Sequence, residues 1–300
     1  MIRTKPKAHR TTLQLIAVAV FVLFAVQAHS QGLPQTDIWL ATIDQGILSQ
    51  PVKINATTGY NNQPHFSDDG TVIYYTREMP GKDGVAQTDI AVFHLEDMTT
   101  TMLALTGESE YSPTPIPGRN AVSVIRVEPD QKQRLWSIKT DSGEMELLLP
   151  AVEPVGYHAW LNDQEVAMFI LGESFTLQVA TLGGNDSEVV ADNIGRSIRR
   201  HPHSGEILFV DKNPEPWQIA AYSPVNRTTR SIMPLFPAGE DFTIDNSGNY
   251  WTGNGSRLYR RSRGDAKWEL MADYSAMGIG HITRLAVDPA TNRIALVSDH

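Results

Sequence analysis

The 300-residue chain contains no cysteine, which excludes a disulfide framework, a thiolate zinc site, a cysteine nucleophile and a lipid-modified N-terminal cysteine. Stability must come from packing alone. Basic residues are in deficit, 25 against 34 acidic, for a net charge of -9. An acidic balance of that size argues against a nucleic-acid partner. Apolar runs long enough to span a bilayer are missing, and so are convincing amphipathic helices. What is present is 41% hydrophobic and 20% charged residues, enough for a real core and too apolar for wholesale disorder.

The N-terminus stands apart. Arg3, Lys5, Lys7 and Arg10 precede an apolar run from Leu13 to Val26, and Ala28-His29-Ser30 supplies small residues where a signal peptidase reads. The pattern is that of a secretory signal peptide over residues 1–30, with cleavage near Ser30. The run of 14 residues falls short of the roughly 20 that cross a bilayer. Removing it takes four positive charges and no negative ones, leaving 21 basic against 34 acidic residues, or -13. The rest, residues 31–300, is expected to be a periplasmic or secreted monomer with no stable membrane insertion.

That remainder repeats. Gln63-Pro64-His65-Phe66-Ser67-Asp68-Asp69-Gly70 followed by TVIYYT reads as a short strand, an Asp-Gly turn and a second strand of β-branched and aromatic residues. Taking Phe66 as anchor, weaker copies place Pro115, Trp160, His201, Ile244 and Val287 at the same point, at separations of 49, 45, 41, 43 and 43 residues. Turn residues follow nearly every anchor, then apolar runs such as AVSVIRV, EVAMFIL and RIALV. A second set of hairpins interleaves with the first, from Ile38-Trp39-Leu40 to Leu258-Tyr259. Two hairpins per repeat make four strands, and six such units predict an all-β, six-bladed β-propeller of four-stranded antiparallel blades. A β-sandwich or stacked barrels also use short strands, but regular six-fold spacing favours the propeller.

The order of hairpins sharpens this. The mature chain opens with an outer-type hairpin, Asp37 to about Ala56, and ends with an inner-type one, Ile282 to Ser298. One blade built from both termini would close the ring by strand pairing.

The stretch QPHFSDDGTVIYYTRE resembles the repeat of TolB-like six-bladed propellers: Pro, an aromatic, Ser, Pro or a similar residue, Asp-Gly, then an apolar strand. Asp68 stands where that motif usually has Pro, and later copies drift further. The resemblance covers roughly residues 37 to 300 and implies the architecture. TolB itself is a periplasmic envelope-maintenance protein that binds a peptidoglycan-associated lipoprotein and other Tol proteins, partly through an N-terminal domain. Only about six residues separate the cleavage point from the first strand, so Tol-complex membership is not carried over. Prolyl oligopeptidase-type enzymes carry similar propellers beside an α/β-hydrolase half, but no Gly-x-Ser-x-Gly elbow occurs in this chain.

Motifs for chemistry are weak. His201-Pro202-His203 suits a turn better than a metal site. His158, beside Trp160, and His65 read as sheet histidines. Asp68-Asp69 occupies a hairpin turn, and calcium would require a denser oxygen cage. The patches Arg196, Arg199, Arg200 and Arg257, Arg260, Arg261, Arg263 read as solvated edges and ion pairs.

Geometry offers more. Loops leading into the innermost strands of a propeller converge on one channel mouth, which predicts that residues three to five positions before each anchor share a funnel. These are Asn61, Asn62, Gln63, Glu110, Tyr111, Tyr157, Arg196, Glu240, Asp241 and Arg284. Their mixture of aromatics, amides and both charges suits recognition of a peptide, a sugar or another protein. The expected function is therefore a non-enzymatic binding or scaffold propeller that recognises a protein or cell-envelope component, with no cofactor. The alternative is a metal-dependent hydrolase or lactonase-type propeller with a divalent ion held by His158, Glu240 and Asp241.

Overall fold

A computed structural model describes residues 32–299 apart from 45, 238, 290 and 291. The expected signal peptide, residues 1–30, lies outside the described residues. The first strand, β1 (Thr36–Asp44), is followed by two short pieces that pair with it, β2 (Ile47–Leu48) and β3 (Val52–Lys53). Five four-stranded antiparallel blades come next. Blade 1 holds β4 (Asn61–Phe66), β5 (Val72–Pro80), β6 (Ala86–His94) and β7 (Thr99–Ala104), and blade 2 holds β8 (Ser109–Pro115), β9 (Ala121–Val127), β10 (Gln133–Lys139) and β11 (Met145–Leu147). Blade 3 holds β12 (Val155–Trp160), β13 (Glu165–Ile170), β14 (Thr176–Thr181) and β15 (Glu188–Ala191), and blade 4 holds β16 (Ile194–Arg200), β17 (Ile207–Asp211), β18 (Gln218–Ser223) and β19 (Thr228–Pro234). Blade 5 holds β20 (Phe242–Ile244), β21 (Tyr250–Asn254), β22 (Arg257–Arg261) and β23 (Glu269–Asp273).

Blade 6 closes the ring as the hairpin order requires. β24 (His281–Val287) pairs with β25 (Arg293–Asp299), and β25 pairs antiparallel with β1 in a register running from Thr36 opposite Asp299 to Thr42 opposite Arg293. The innermost strands end at or within one residue of the anchors read from the sequence. The turns behave as expected too. In the first repeat Asp69 accepts from the Ser67 and Thr71 hydroxyls, while Gly70 takes a positive φ of 66° that a side chain would resist.

The core is six apolar clusters, one at each seam between blades. Strand periodicity explains how one strand serves two seams. On β13, Val166 and Met168 pack toward blade 2, whereas Ala167 and Phe169 pack toward blade 4. On β25, Ala295 and Val297 face blade 1, and Ile294 and Leu296 face blade 5. Middle strands therefore read as unbroken apolar runs, and burial of both faces supplies the stability that disulfides do not.

The innermost strands are less regular. Register shifts interrupt the pairing of β4, β8, β12, β16 and β24 near their first residues, where each strand enters the channel. One extra residue enters β4, β8, β12 and β24 and two enter β16, and each irregularity re-aims the side chains beside it. Gln63 and Ser112 sit at two of them with positive φ, 55° and 54°.

Candidate functional site

The six inner strands, and the residues that lead directly into β4 and β20, bring one side chain from each blade to the channel mouth: Tyr60, Tyr111, Tyr157, Arg196, Asp241 and Arg284. The centre of this group is a charged crossbar. Arg284 of blade 6 donates from Nη1 to Asp241 Oδ1 at 2.9 Å and from Nη2 to the Tyr157 hydroxyl at 2.8 Å, with its guanidinium carbon 5.1 Å from the Tyr157 ring centre. Blades 6 and 3 face each other in a six-membered ring, so this side chain spans the channel. Asp241 is shared with Arg196 of blade 4, which donates to Oδ2 from Nε at 3.1 Å and also from Nη2. Arg196 Nη2 continues to the carbonyl of Thr283 at 3.3 Å.

Burial alone would raise the carboxyl of Asp241, but Arg284, Arg196 and Arg199 outweigh it and hold its pKa below the ordinary value. Tyr60 lies within electrostatic reach of Arg284, Tyr157, Tyr111 and Arg196, and its phenol is pushed well up, chiefly by burial.

Deeper in the lumen, Arg199 donates from Nη2 to the Leu285 carbonyl at 3.1 Å and from Nη1 to that of Ile198 at 2.9 Å. No carboxylate among the described residues pairs with it. Burial, which the Asp241 charge only partly offsets, and the charge of Arg284 lower it to about 10. His65 is solvent-accessible but enclosed by the ring of blades, and that enclosure, with the charge of Arg199 second, lowers its imidazole to about 4.

Of the ten residues expected at the mouth, Tyr111, Tyr157, Arg196, Asp241 and Arg284 belong to this ring. Glu240 sits at its edge, where Oε1 accepts from the Arg196 backbone N–H at 3.2 Å and pairs with Lys212 at 2.7 Å. Gly195 allows this approach, since a Cβ there would lie 2.8 Å from Val210 and 3.1 Å from Glu240 Oε1. The remaining four hold the walls together. Asn61 is buried and donates from its amide to the carbonyls of Thr36, Thr57 and Gly59, stitching blade 6 to blade 1. Asn62 caps the next N–H, that of Gln63, at 2.8 Å. Gln63 Oε1 accepts from the Thr76 hydroxyl at 2.8 Å and from the Ser112 N–H at 2.9 Å, joining blade 1 to blade 2.

Glu110, the fourth, is 1% exposed and accepts from the Thr106 hydroxyl at 2.8 Å. Its carboxyl is pushed up to about 8, first by burial, with Asp89 and Glu108 adding to the rise. The Thr106 hydroxyl and Arg126, which lies 3.6 Å away and is also bonded to Glu108, offset this only in part.

Four residues at or beside the ring are new relative to the sequence reading: Tyr60, Arg199, His65 as a lumen group, and Lys212. Tyr60 lies six positions before its anchor, outside the three-to-five window, because the bulge in β4 inserts a residue. Arg196 and Arg199 correct the expectation of a solvated edge. Both enter the channel, and Arg200 alone turns away to donate to the Leu161 carbonyl at 3.0 Å. The second patch does behave as expected, with Arg257 paired to Asp273 and Arg260 to Glu269.

The histidine motifs resolve into structural roles. His201 Nδ1 accepts from the N–H groups of His203 and Ser204, both at 3.2 Å, and caps the turn. The Ser123 hydroxyl donates to the Thr114 carbonyl at 3.0 Å, so it accepts from Trp160 Nε1 at 2.8 Å and from His158 Nε2 at 2.6 Å. That leaves His158 Nδ1 a buried acceptor without a partner. His158, Glu240 and Asp241 thus serve separate partners, and among the described residues no three His, Asp or Glu side chains are grouped to hold a metal.

No family model and no curated protein matches the sequence. Solved structures do match in shape. The chain is similar to a putative TolB from Agrobacterium tumefaciens (TM-score 0.68, 11% identity, covering 90% of this chain and 99% of that one). It is also similar to TolB from Acinetobacter baumannii (TM-score 0.58, 11% identity, 92% and 67% covered) and to a gluconolactonase from Xanthomonas campestris (TM-score 0.63, 10% identity, 90% and 98% covered). At such identities the likeness is one of backbone architecture, and what it establishes is that this chain carries a TolB-like six-bladed propeller fold.

Proposed function

We propose that the chain is an exported, non-enzymatic recognition module whose channel-mouth residues bind a protein or a cell-envelope component, acting in the periplasm or outside the cell. The observation that carries this reading is the ring of six side chains, one from each blade, meeting over the channel. Tyr and Arg dominate it, the residue types that contribute most at recognition surfaces, and Tyr111, Tyr157, Arg196 and Arg284 are each held in an inner strand. Fold alone would not support the reading, because propellers of this shape host unrelated activities.

The experiment is cross-linking and capture from envelope extracts with the wild-type chain and with Tyr111, Tyr157 and Arg284 changed together to alanine. A partner retained by the wild type and lost by the triple variant is expected; equal retention by both would contradict the assignment.

Similarity to the gluconolactonase keeps a metal-dependent hydrolase as the second reading. The charge pattern at the mouth disfavours it, because the Asp241 carboxylate is neutralised by two guanidinium groups that a divalent ion would have to displace. Melting in calcium and in EDTA separates the two readings, since a metal bound only by the native state raises its stability. We expect coincident curves.

A further inference from the structure

We propose that the arginine-lined sector of the channel, built from Arg196, Arg199 and Arg284, is a binding site for a carboxylate group presented by the ligand. This deepens the reading of the mouth as a recognition surface and rests on it.

Three guanidinium groups and the Lys212 ammonium face two carboxylates here, Asp241 and Glu240, an excess of two positive charges in a chain whose net charge is -9. Burying cations without matching anions is costly, and a protein that retains such an excess leaves an incomplete electrostatic site.

The arginines also keep unused donors. Arg284 Nε is buried with no hydrogen-bond partner. Arg196 engages Asp241 and Thr283 through Nε and Nη2, leaving Nη1 without a protein acceptor among the described residues. Among the described residues, Arg199 is held by two backbone carbonyls and no side chain.

Arg196 and Arg199 are anchored on the carbonyls of Thr283 and Leu285, two residues apart on β24, or roughly 7 Å along a strand. A carboxylate accepting at about 2.8 Å from each side bridges two donors so separated, and the planar guanidinium fork matches its two oxygens. Access exists, because the Arg196 side chain is 31% exposed and His65 opens onto the same lumen.

Carboxylates reach a protein from acidic side chains or from sugar acids, and calorimetry distinguishes the sources. N-acetylglutamate amide and glucuronate are titrated into the full chain beside their neutral counterparts, N-acetylglutamine amide and glucose, and beside sulfate. Expected is binding of at least one carboxylate probe, with its neutral counterpart at least tenfold weaker. Tighter binding of the glutamyl probe identifies a peptide source, and tighter binding of glucuronate a sugar source. Arg199→Met should weaken the carboxylate at least tenfold, and Arg199→Lys, which keeps the charge but not the fork, should weaken it less. If the Met variant fails to melt cooperatively, the Lys variant supplies the reading. Absence of binding by every carboxylate, sulfate binding tighter than any of them, or Arg199 variants indistinguishable from wild type would overturn the proposal. The reading of the mouth as a recognition surface stands or falls separately, on partner capture by the alanine variant of Tyr111, Tyr157 and Arg284.

Discussion

Two sectors of the same channel mouth use polar side chains in opposite ways. At the seam between blades 1 and 2, Gln63 Oε1, the Thr76 hydroxyl and the Ser112 N–H bond one another while the Ser112 hydroxyl stays buried without a partner, and Glu110 is closed in with Thr106. From blade 3 round to blade 6, Tyr157, Arg196, Asp241 and Arg284 form a network that bridges the lumen and keeps donors to spare. Both sectors occupy equivalent positions of the repeat. What separates them is reach and charge: uncharged groups join neighbouring blades at the seam, whereas guanidinium groups span the lumen in the other sector.

The comparison depends on a closed ring, and opening it should have the largest effect. Deleting residues 293–299 removes β25, which carries both the β24 and β1 pairings of blade 6, and exposes two apolar seams. Loss of cooperative thermal unfolding, read by circular dichroism, is expected. In the arginine sector, Asp241→Ala leaves Arg196 and Arg284 without their shared anion and should cost about 3–5 kcal/mol in denaturant melts. Because the native pKa of Asp241 lies below its unfolded value, this contribution is complete above the ordinary carboxylate range and lost as pH falls through the native pKa. A variant without Asp241 should therefore lack that part of the acid sensitivity.

In the seam sector, Gln63→Ala strips the acceptor from the Thr76 hydroxyl and the Ser112 N–H and should cost about 1–3 kcal/mol by the same melts. Glu110 has the opposite sign to Asp241. Its native pKa of about 8 lies above the unfolded value of 4.5, so wild-type stability falls as pH rises between them, by at most about 1.4 kcal/mol per pH unit. Glu110→Gln should lack this slope and gain on the wild type between pH 5 and pH 8.

The fold was legible because its signals are periodic. Anchors from Phe66 to Val287, turns after them and the order of the terminal hairpins all follow from local chemistry repeated at regular spacing. The site was legible only in part, since a window of three to five residues before each anchor assumes straight strands. Bulges in β4 and β8 move Tyr60 into the ring and turn Gln63 into the seam, and no local pattern around either residue announces them. Arg199 was hidden differently. Adjacent arginines look alike in a sequence, and only the fold shows Arg199 reaching across blade 5 to the Leu285 carbonyl while Arg200 turns back to Leu161.

The division between the sectors is tested most directly by measuring melting temperature and carboxylate affinity together on Gln63→Ala and Arg199→Met. Gln63→Ala should lower the melting temperature by several degrees, at roughly 2–4 °C per kcal/mol for a domain of this size, and keep wild-type affinity. Arg199→Met should do the reverse, melting near the wild type and binding the carboxylate at least tenfold more weakly. Parallel losses of stability and affinity in both variants would contradict the account, because the mouth would then be one structural network with no part of it reserved for a ligand.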